Sequence, residues 1–148
     1  RIGSLLRSQE GENCFMVDAM VDYYSRQHNL RRMPVPYLKI QTNREMAEDA
    51  RQEILKKASV LVSKNLGKPE KYVMVRIDPP QAMMFAGSSL PCAYLELKSI
   101  GLPESKTETL SKVLCQLMLD ELKIPPERIY IEFADAKDSM WGWNSSTF

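Results

Sequence analysis

Pro36-Tyr37-Leu38-Lys39-Ile40-Gln41-Thr42-Asn43 is the stretch on which the fold turns. It reads as a short β-strand that opens on a proline and stops at a polar pair. Tyr37, Leu38 and Ile40 favour a pleated, half-buried backbone. A proline has no amide hydrogen to donate, so it is tolerated at the first residue of a strand.

The same proline has a chemical reading that depends on where the chain starts. As the first residue it would carry a free secondary amine. An α-amino group titrates near ~7.7–8.0, and an apolar pocket lowers that value further. Such a nitrogen can be neutral at pH 7 and serve as a general base. Inside a chain the nitrogen is an amide and cannot. Here 35 residues precede Pro36.

Working outward from this strand, a helix is expected next. Thr42 and Glu45 have the spacing of a capping box, and Ala47, Ala50, Ile54, Ala58, Leu61 and Val62 keep a helical stripe. Gly67 suits a left-handed C-cap and Pro69 stops continuation. Tyr72-Val73-Met74-Val75-Arg76-Ile77 is a second strand, broken by Asp78-Pro79-Pro80. The short apolar piece Ala82–Ala86 leads to a turn at Gly87-Ser88-Ser89.

The second half then repeats the first. Tyr94-Leu95-Glu96-Leu97 stands 57 positions after Tyr37-Leu38-Lys39-Ile40, and Pro126-Glu127-Arg128 stands at the same interval from Pro69-Glu70-Lys71. Between them a helix starts at Ser105 or Thr107, with Leu110, Val113, Leu114, Leu117, Met118 and Leu122 on its apolar face. Ile129-Tyr130-Ile131-Glu132-Phe133 is the answering strand. The class is therefore α/β (α+β): two β-α-β repeats with right-handed crossovers, joined in one four-stranded sheet with both helices on one face. The other face is expected to carry Leu, Ile, Val and Met uncovered, which predicts an oligomer.

Composition excludes several classes. With 44% hydrophobic and 26% charged residues in 148, the chain suits one compact domain. A net charge of +1 without a run of one sign gives no footprint for nucleic acid or an anionic membrane. No apolar run approaches the ~20 residues of a membrane span. Cys14, Cys92 and Cys115 are widely spaced, which points to a reducing compartment rather than a disulfide scaffold. A single histidine, His28, makes neither a zinc site nor a serine triad a good reading. No cofactor is expected.

Residues 1–35 differ from the rest. Asn13 can cap a helix over about 14–27, with Phe15, Met16, Ala19, Met20, Tyr23 and Tyr24 in a stripe. Asp18 and Asp22 argue against a signal or transit peptide. Met33-Pro34-Val35-Pro36 then reads as an extended linker. An accessory helix, an upstream extension and a removable pro-segment all fit. The division expected is an N-terminal extension over 1–35 and a domain over 36–148.

Together, Pro36 through Asn43, Gly67-Lys68-Pro69, Met84 through Ser89, Pro91-Cys92-Ala93, Ser99-Ile100-Gly101 and Gly142 through Phe148 resemble the macrophage migration inhibitory factor family of the tautomerase superfamily. Trp141 beside Trp143, after Glu132-Phe133-Ala134-Asp135, looks most like bacterial, cyanobacterial-type members. The resemblance implies a homotrimer whose sheets surround a central channel, with active sites between adjacent subunits. It implies Pro36 as the catalytic base and Lys68 as the group that holds the substrate's anionic end. The backbone of Ile100 would contact the substrate, Tyr130 and Trp143 would wall the pocket, Trp141 would narrow it, and Tyr72 would stand at its rim. Periodicity alone makes Lys68 a solvated lysine, Tyr130 a solvent-facing strand residue and Trp143 a loop anchor.

Three departures modify what is implied. Glu132 stands where animal members carry asparagine, and a carboxylate there disfavours acidic substrates or raises the proline's pKa. Trp141 replaces a small aliphatic residue. Cys92-Ala93-Tyr94-Leu95 lacks the second cysteine of the animal Cys-x-x-Cys, so a thiol oxidoreductase role is not implied. The readings open at this point are a keto–enol tautomerase for a small aromatic α-keto acid or dopachrome-like compound, a cytokine-like protein binding a receptor through the trimer surface, and a structural trimer silenced by residues 1–35. The expected location is cytoplasmic, or secreted without a signal peptide.

Overall fold

The computed structural model of the chain describes residues 35–148. The helix expected over 14–27 and the linker up to residue 34 lie outside the described residues. In chain order the elements are β1 (Tyr37–Thr42), α1 (Glu48–Leu66), β2 (Met74–Ile77), β3 (Ala93–Ile100), α2 (Thr107–Leu122), β4 (Ile129–Ala136) and a hairpin of β5 (Gly142–Trp143) and β6 (Ser146–Thr147).

The four long strands form one mixed sheet in the order β2-β1-β3-β4. Each half contributes a parallel pair: Tyr37 faces Met74 in the first and Ala93 faces Ile129 in the second. The halves join antiparallel through β1 and β3, with Tyr37 facing Lys98. Alternation along β1 buries Leu38, Ile40 and Thr42, and alternation along β3 buries Ala93, Leu95, Leu97 and Ser99. These strands pack under Ile54, Ala58 and Val62 of α1 and Leu110, Leu114 and Met118 of α2, in one core on one side of the sheet. Each of the larger ones, from Val upward, contributes roughly 1.5–3 kcal/mol by leaving water. No described helix is long and apolar enough to cross a membrane.

Several local expectations are corrected. Thr42 does not cap α1. It ends β1, where its hydroxyl donates to the Cys92 carbonyl at 2.7 Å and accepts the Arg44 amide at 3.0 Å. The helix instead begins at Glu48 with Ala47 as an N-cap that makes no side-chain bond, and Ala47 and Ala50 are exposed rather than in the stripe. The second strand starts at Met74, because Glu70–Tyr72 closes a 3₁₀ turn first. β4 runs on to Ala136, held by β3 as far as the Ile100–Ala136 pair.

The largest correction concerns the uncovered face. It is not built of Leu, Ile, Val and Met: among the described strand residues Met74 is the single one of that kind on it. It carries Tyr37, Lys39 and Gln41 of β1, Met74 and Arg76 of β2, Tyr94, Glu96 and Lys98 of β3, and Tyr130 and Glu132 of β4. Charges pair across it: Lys39 lies 3.8 Å from Asp78 and 3.6 Å from Glu96, and Lys98 lies 3.2 Å from Glu96. The reason is the strict period of two. With Leu38, Ile40, Leu95 and Leu97 turned to the helices, their polar neighbours must turn away. An uncovered apolar face is therefore not what would drive oligomerisation.

Candidate functional site

Pro36 sits at the mouth of β1 with its side chain fully buried. Its carbonyl accepts the Met74 amide at 2.9 Å, which ties the entrance of β1 to the entrance of β2. The antiparallel register carried one step beyond Tyr37–Lys98 sets Pro36 opposite the buried Ser99, and Val35 opposite Ile100. Ile100 ends β3 and is itself buried, and Gly101 follows with φ 65° to turn the chain.

Lys68 is brought to the same end of the sheet by the C-terminus of α1. Gly67 adopts φ 65° and ψ 38°, and the amides of Gly67 and Lys68 reach the carbonyls of Lys64 and Ser63 at 3.3 and 2.9 Å. This is a Schellman ending. The Ser63 hydroxyl also donates to the Lys68 carbonyl at 2.6 Å, so the lysine backbone is held from both sides. Partial burial lowers the pKa of the Lys68 ammonium, and the nearby Lys106 lowers it further. Among the described residues no carboxylate offsets these two effects. Lys106 is turned aside by its own bond to the Asn65 carbonyl at 2.9 Å.

An aromatic group stands beside them. Tyr72 closes the 3₁₀ turn that follows Pro69, and Trp143 meets it edge-on with ring centres 6.3 Å apart. Trp143 stacks at 5.9 Å on Phe148, whose amide donates to the Trp141 carbonyl at 3.2 Å. The hairpin that presents Trp143 turns through Asn144 and Ser145, at φ 49° and 62°. Trp141 is half-buried and Trp143 is 47% exposed. Pro36, Lys68, Tyr72, Ile100, Trp141 and Trp143 thus gather toward one end and one edge of the sheet.

Tyr130 does not join them. It pairs with Tyr94, which faces Gln41, so it belongs to the opposite end of the sheet and to its far edge. Five residues along the strands and two strands across put it roughly 20 Å from Pro36. Tyr130 is 65% exposed and its ring rests on Phe85, centres 4.8 Å apart. Glu132 shares the open face, and its carboxylate accepts the Tyr94 hydroxyl. That bond, with a smaller contribution from burial, pushes the Tyr94 phenol up to about 12.

Phe85, Tyr94 and Arg128 hold this second cluster; the sequence placed Phe85 in the Met84–Ser89 motif and Tyr94 and Arg128 in the 57-residue repeat, but gave none of them a role at a site. Among the described residues no group of three His, Cys, Asp or Glu side chains could hold a metal ion.

Chemically, the first cluster offers a cation that no carboxylate of the described residues neutralises, aromatic surface and a buried proline ring. The second offers an exposed phenol and a carboxylate on another edge. The family description "Macrophage migration inhibitory factor (MIF)" matches residues 35–148. A macrophage migration inhibitory factor homolog of Brugia malayi is 46% identical over 115 residues, 77% of this chain and 99% of the relative. The solved homologue from Prochlorococcus marinus is 41% identical with a TM-score of 0.72, covering 76% of this chain and 98% of that one. The macrophage migration inhibitory factor-like protein of Entamoeba histolytica is 27% identical with a TM-score of 0.74, covering 77% and 99%.

Proposed function

The chain belongs to the macrophage migration inhibitory factor family, and on that premise we propose that it is a keto–enol tautomerase for small aromatic α-keto acids of the phenylpyruvate type. The observation that carries this reading is Lys68: a partly desolvated ammonium on a doubly anchored loop, toward the same end of the sheet as the paired rings of Tyr72 and Trp143, with no carboxylate to neutralise it among the described residues. An α-keto acid supplies the missing anion, and its aromatic ring matches the aromatic rim.

The chemistry then follows from Pro36. Its amine, once free, takes a proton from the carbon next to the carbonyl. The electron pair moves onto the carbonyl oxygen, and the proton returns there to give the enol. The reverse sequence gives the keto form. Lys68 holds the carboxylate, and the aromatic side chains exclude water. While Val35 is attached, the Pro36 nitrogen is an amide with no basic lone pair. The active form is therefore one that begins at Pro36.

Assembly completes the site. The sheet has two open edges, β2 and β4, each with an exposed apolar residue: Met74 at 63% and Tyr130 at 65%. Joining the β4 edge of one subunit to the β2 edge of the next, and closing after three, is a head-to-tail ring. It would bring Tyr130 of one subunit toward the Pro36 and Lys68 end of its neighbour. The polar sheet faces would then line a central channel.

The test is a phenylpyruvate tautomerase assay on the 148-residue chain and on a chain trimmed to begin at Pro36, with both termini verified by mass spectrometry. The trimmed form is expected to turn over substrate and the longer form to be nearly inactive. Equal activity in the two would remove Pro36 as the base.

A further inference from the structure

Arg128 precedes β4 and makes four hydrogen bonds, all to backbone carbonyls of one loop. Its Nε donates to Pro91 at 2.9 Å, Nη1 to Phe85 at 3.2 Å, and Nη2 to Ser88 at 3.1 Å and Leu90 at 3.0 Å. Its guanidinium also lies over the Phe85 ring, 5.4 Å from the centre. The Phe85 ring in turn meets the ring of Tyr130. The loop makes a tight turn through Ala86 and Gly87, at φ 50° and 71°, closed by the Phe85 amide on Ser88 O at 2.9 Å and the Ser88 amide on Phe85 O at 3.0 Å. The carbonyls that close this turn are two of those Arg128 holds. Asn43 braces the other end, donating to Ser89 O at 3.0 Å and Leu90 O at 3.2 Å and accepting the Cys92 amide at 2.9 Å.

We propose that Arg128 is the positioning residue for Tyr130, fixing the 85–91 loop so that Phe85 holds the Tyr130 ring in one orientation. The role rests on the reading of Tyr130 as a pocket wall contributed to a neighbouring subunit. A guanidinium suits it for geometric reasons. Its planar fork satisfies several carbonyls at once, whereas an ammonium on a flexible stem cannot span the same set. The turn it stabilises holds a non-glycine residue, Ala86, in the left-handed region, a strained conformation that persists only when neighbouring bonds enforce it.

The experiment uses the full chain and follows two signals by NMR: exchange of the Phe85 and Ser88 amides, and the ring resonances of Tyr130. Arg128→Lys is expected to speed exchange of both amides about tenfold, to shift the Tyr130 ring signals, and to leave the amides of α1 and α2 unchanged. Phe85→Leu is expected to shift the Tyr130 ring while the Ser88 amide stays slow. Unchanged exchange in Arg128→Lys, or Tyr130 signals indifferent to both substitutions, overturns the assignment. Should Arg128→Lys lose the fold, the Phe85→Leu result alone decides whether the ring contact orients Tyr130. Turnover of phenylpyruvate by the form beginning at Pro36 is measured separately. Its absence would remove the tautomerase reading and leave the Arg128 result standing.

Discussion

Pro36 and Tyr130 occupy opposite ends of one sheet and are separated by strand β3. No rotation of either side chain closes a gap of roughly 20 Å. If both serve one substrate, they belong to different subunits.

This yields a complementation test. Lys68→Ala and Tyr130→Ala, each in the form that begins at Pro36, are expected to be weak enzymes alone. Refolded together in equal amounts they form mixed rings, in which about a quarter of the sites carry an intact Lys68 from one subunit and an intact Tyr130 from its neighbour. Activity should recover to that level. A mixture no more active than its parts would show that the two residues do not share a site across subunits.

For Lys68 itself, loss of a charge-assisted contact to a carboxylate should cost roughly 1.5–3 kcal/mol, seen as a higher KM. The melting temperature should hardly move, since the side chain makes no ion pair within the described residues and its burial opposes its charge. An anionic inhibitor should bind less tightly as the pH rises through the lysine's lowered pKa. Binding that is indifferent to alkaline pH would remove the lysine from the anion site.

Tyr94 predicts a pH effect of its own. The phenol is raised from 10.0 to about 12 by its bond to Glu132. A raised folded-state value means that the protonated form is the one the fold favours. The contribution is thus complete below pH 10 and fades between 10 and about 12. Tyrosinate absorbance against pH should show one late component that Tyr94→Phe removes. A titration unchanged by the substitution would contradict the bond.

Two caps allow a stability test with opposite signs. Gly67 has φ 65° and open space where a Cβ would stand, so Gly67→Ala meets backbone strain alone and should cost about 1 kcal/mol. Lys123 ends α2 in the same conformation, at φ 57°, and Lys123→Gly should stabilise by roughly half a kcal/mol once the lost bond to the Asp120 carbonyl is counted. Urea melts of both variants measure the pair. A gain on Gly67→Ala would contradict the left-handed cap.

Much of the fold was legible because it is written locally. Leu110, Leu114, Leu117, Met118 and Leu122 recur at helical spacing, and all five are buried in α2. Gly67 announced the end of α1, and the 57-residue interval announced two similar halves. The polar face was legible too. Lys39, Gln41, Glu96 and Lys98 alternate with the core residues, and the strict period of two turns them all to the uncovered face.

Other features depend on partners far along the chain. The Thr42 hydroxyl had the spacing of a cap, but the Cys92 carbonyl, 50 residues on, took it for the end of β1. Arg128 follows a proline and a glutamate, as Lys71 does, and by sequence is one more surface cation. Only the fold brings four carbonyls from residues 85–91 to its guanidinium. Likewise, residue types and spacing determined that Pro36, Lys68 and Tyr130 stood out as candidates. The strand order alone decided which of them share an end of the sheet, because a side chain's position along its strand is local and its neighbours across the sheet are not.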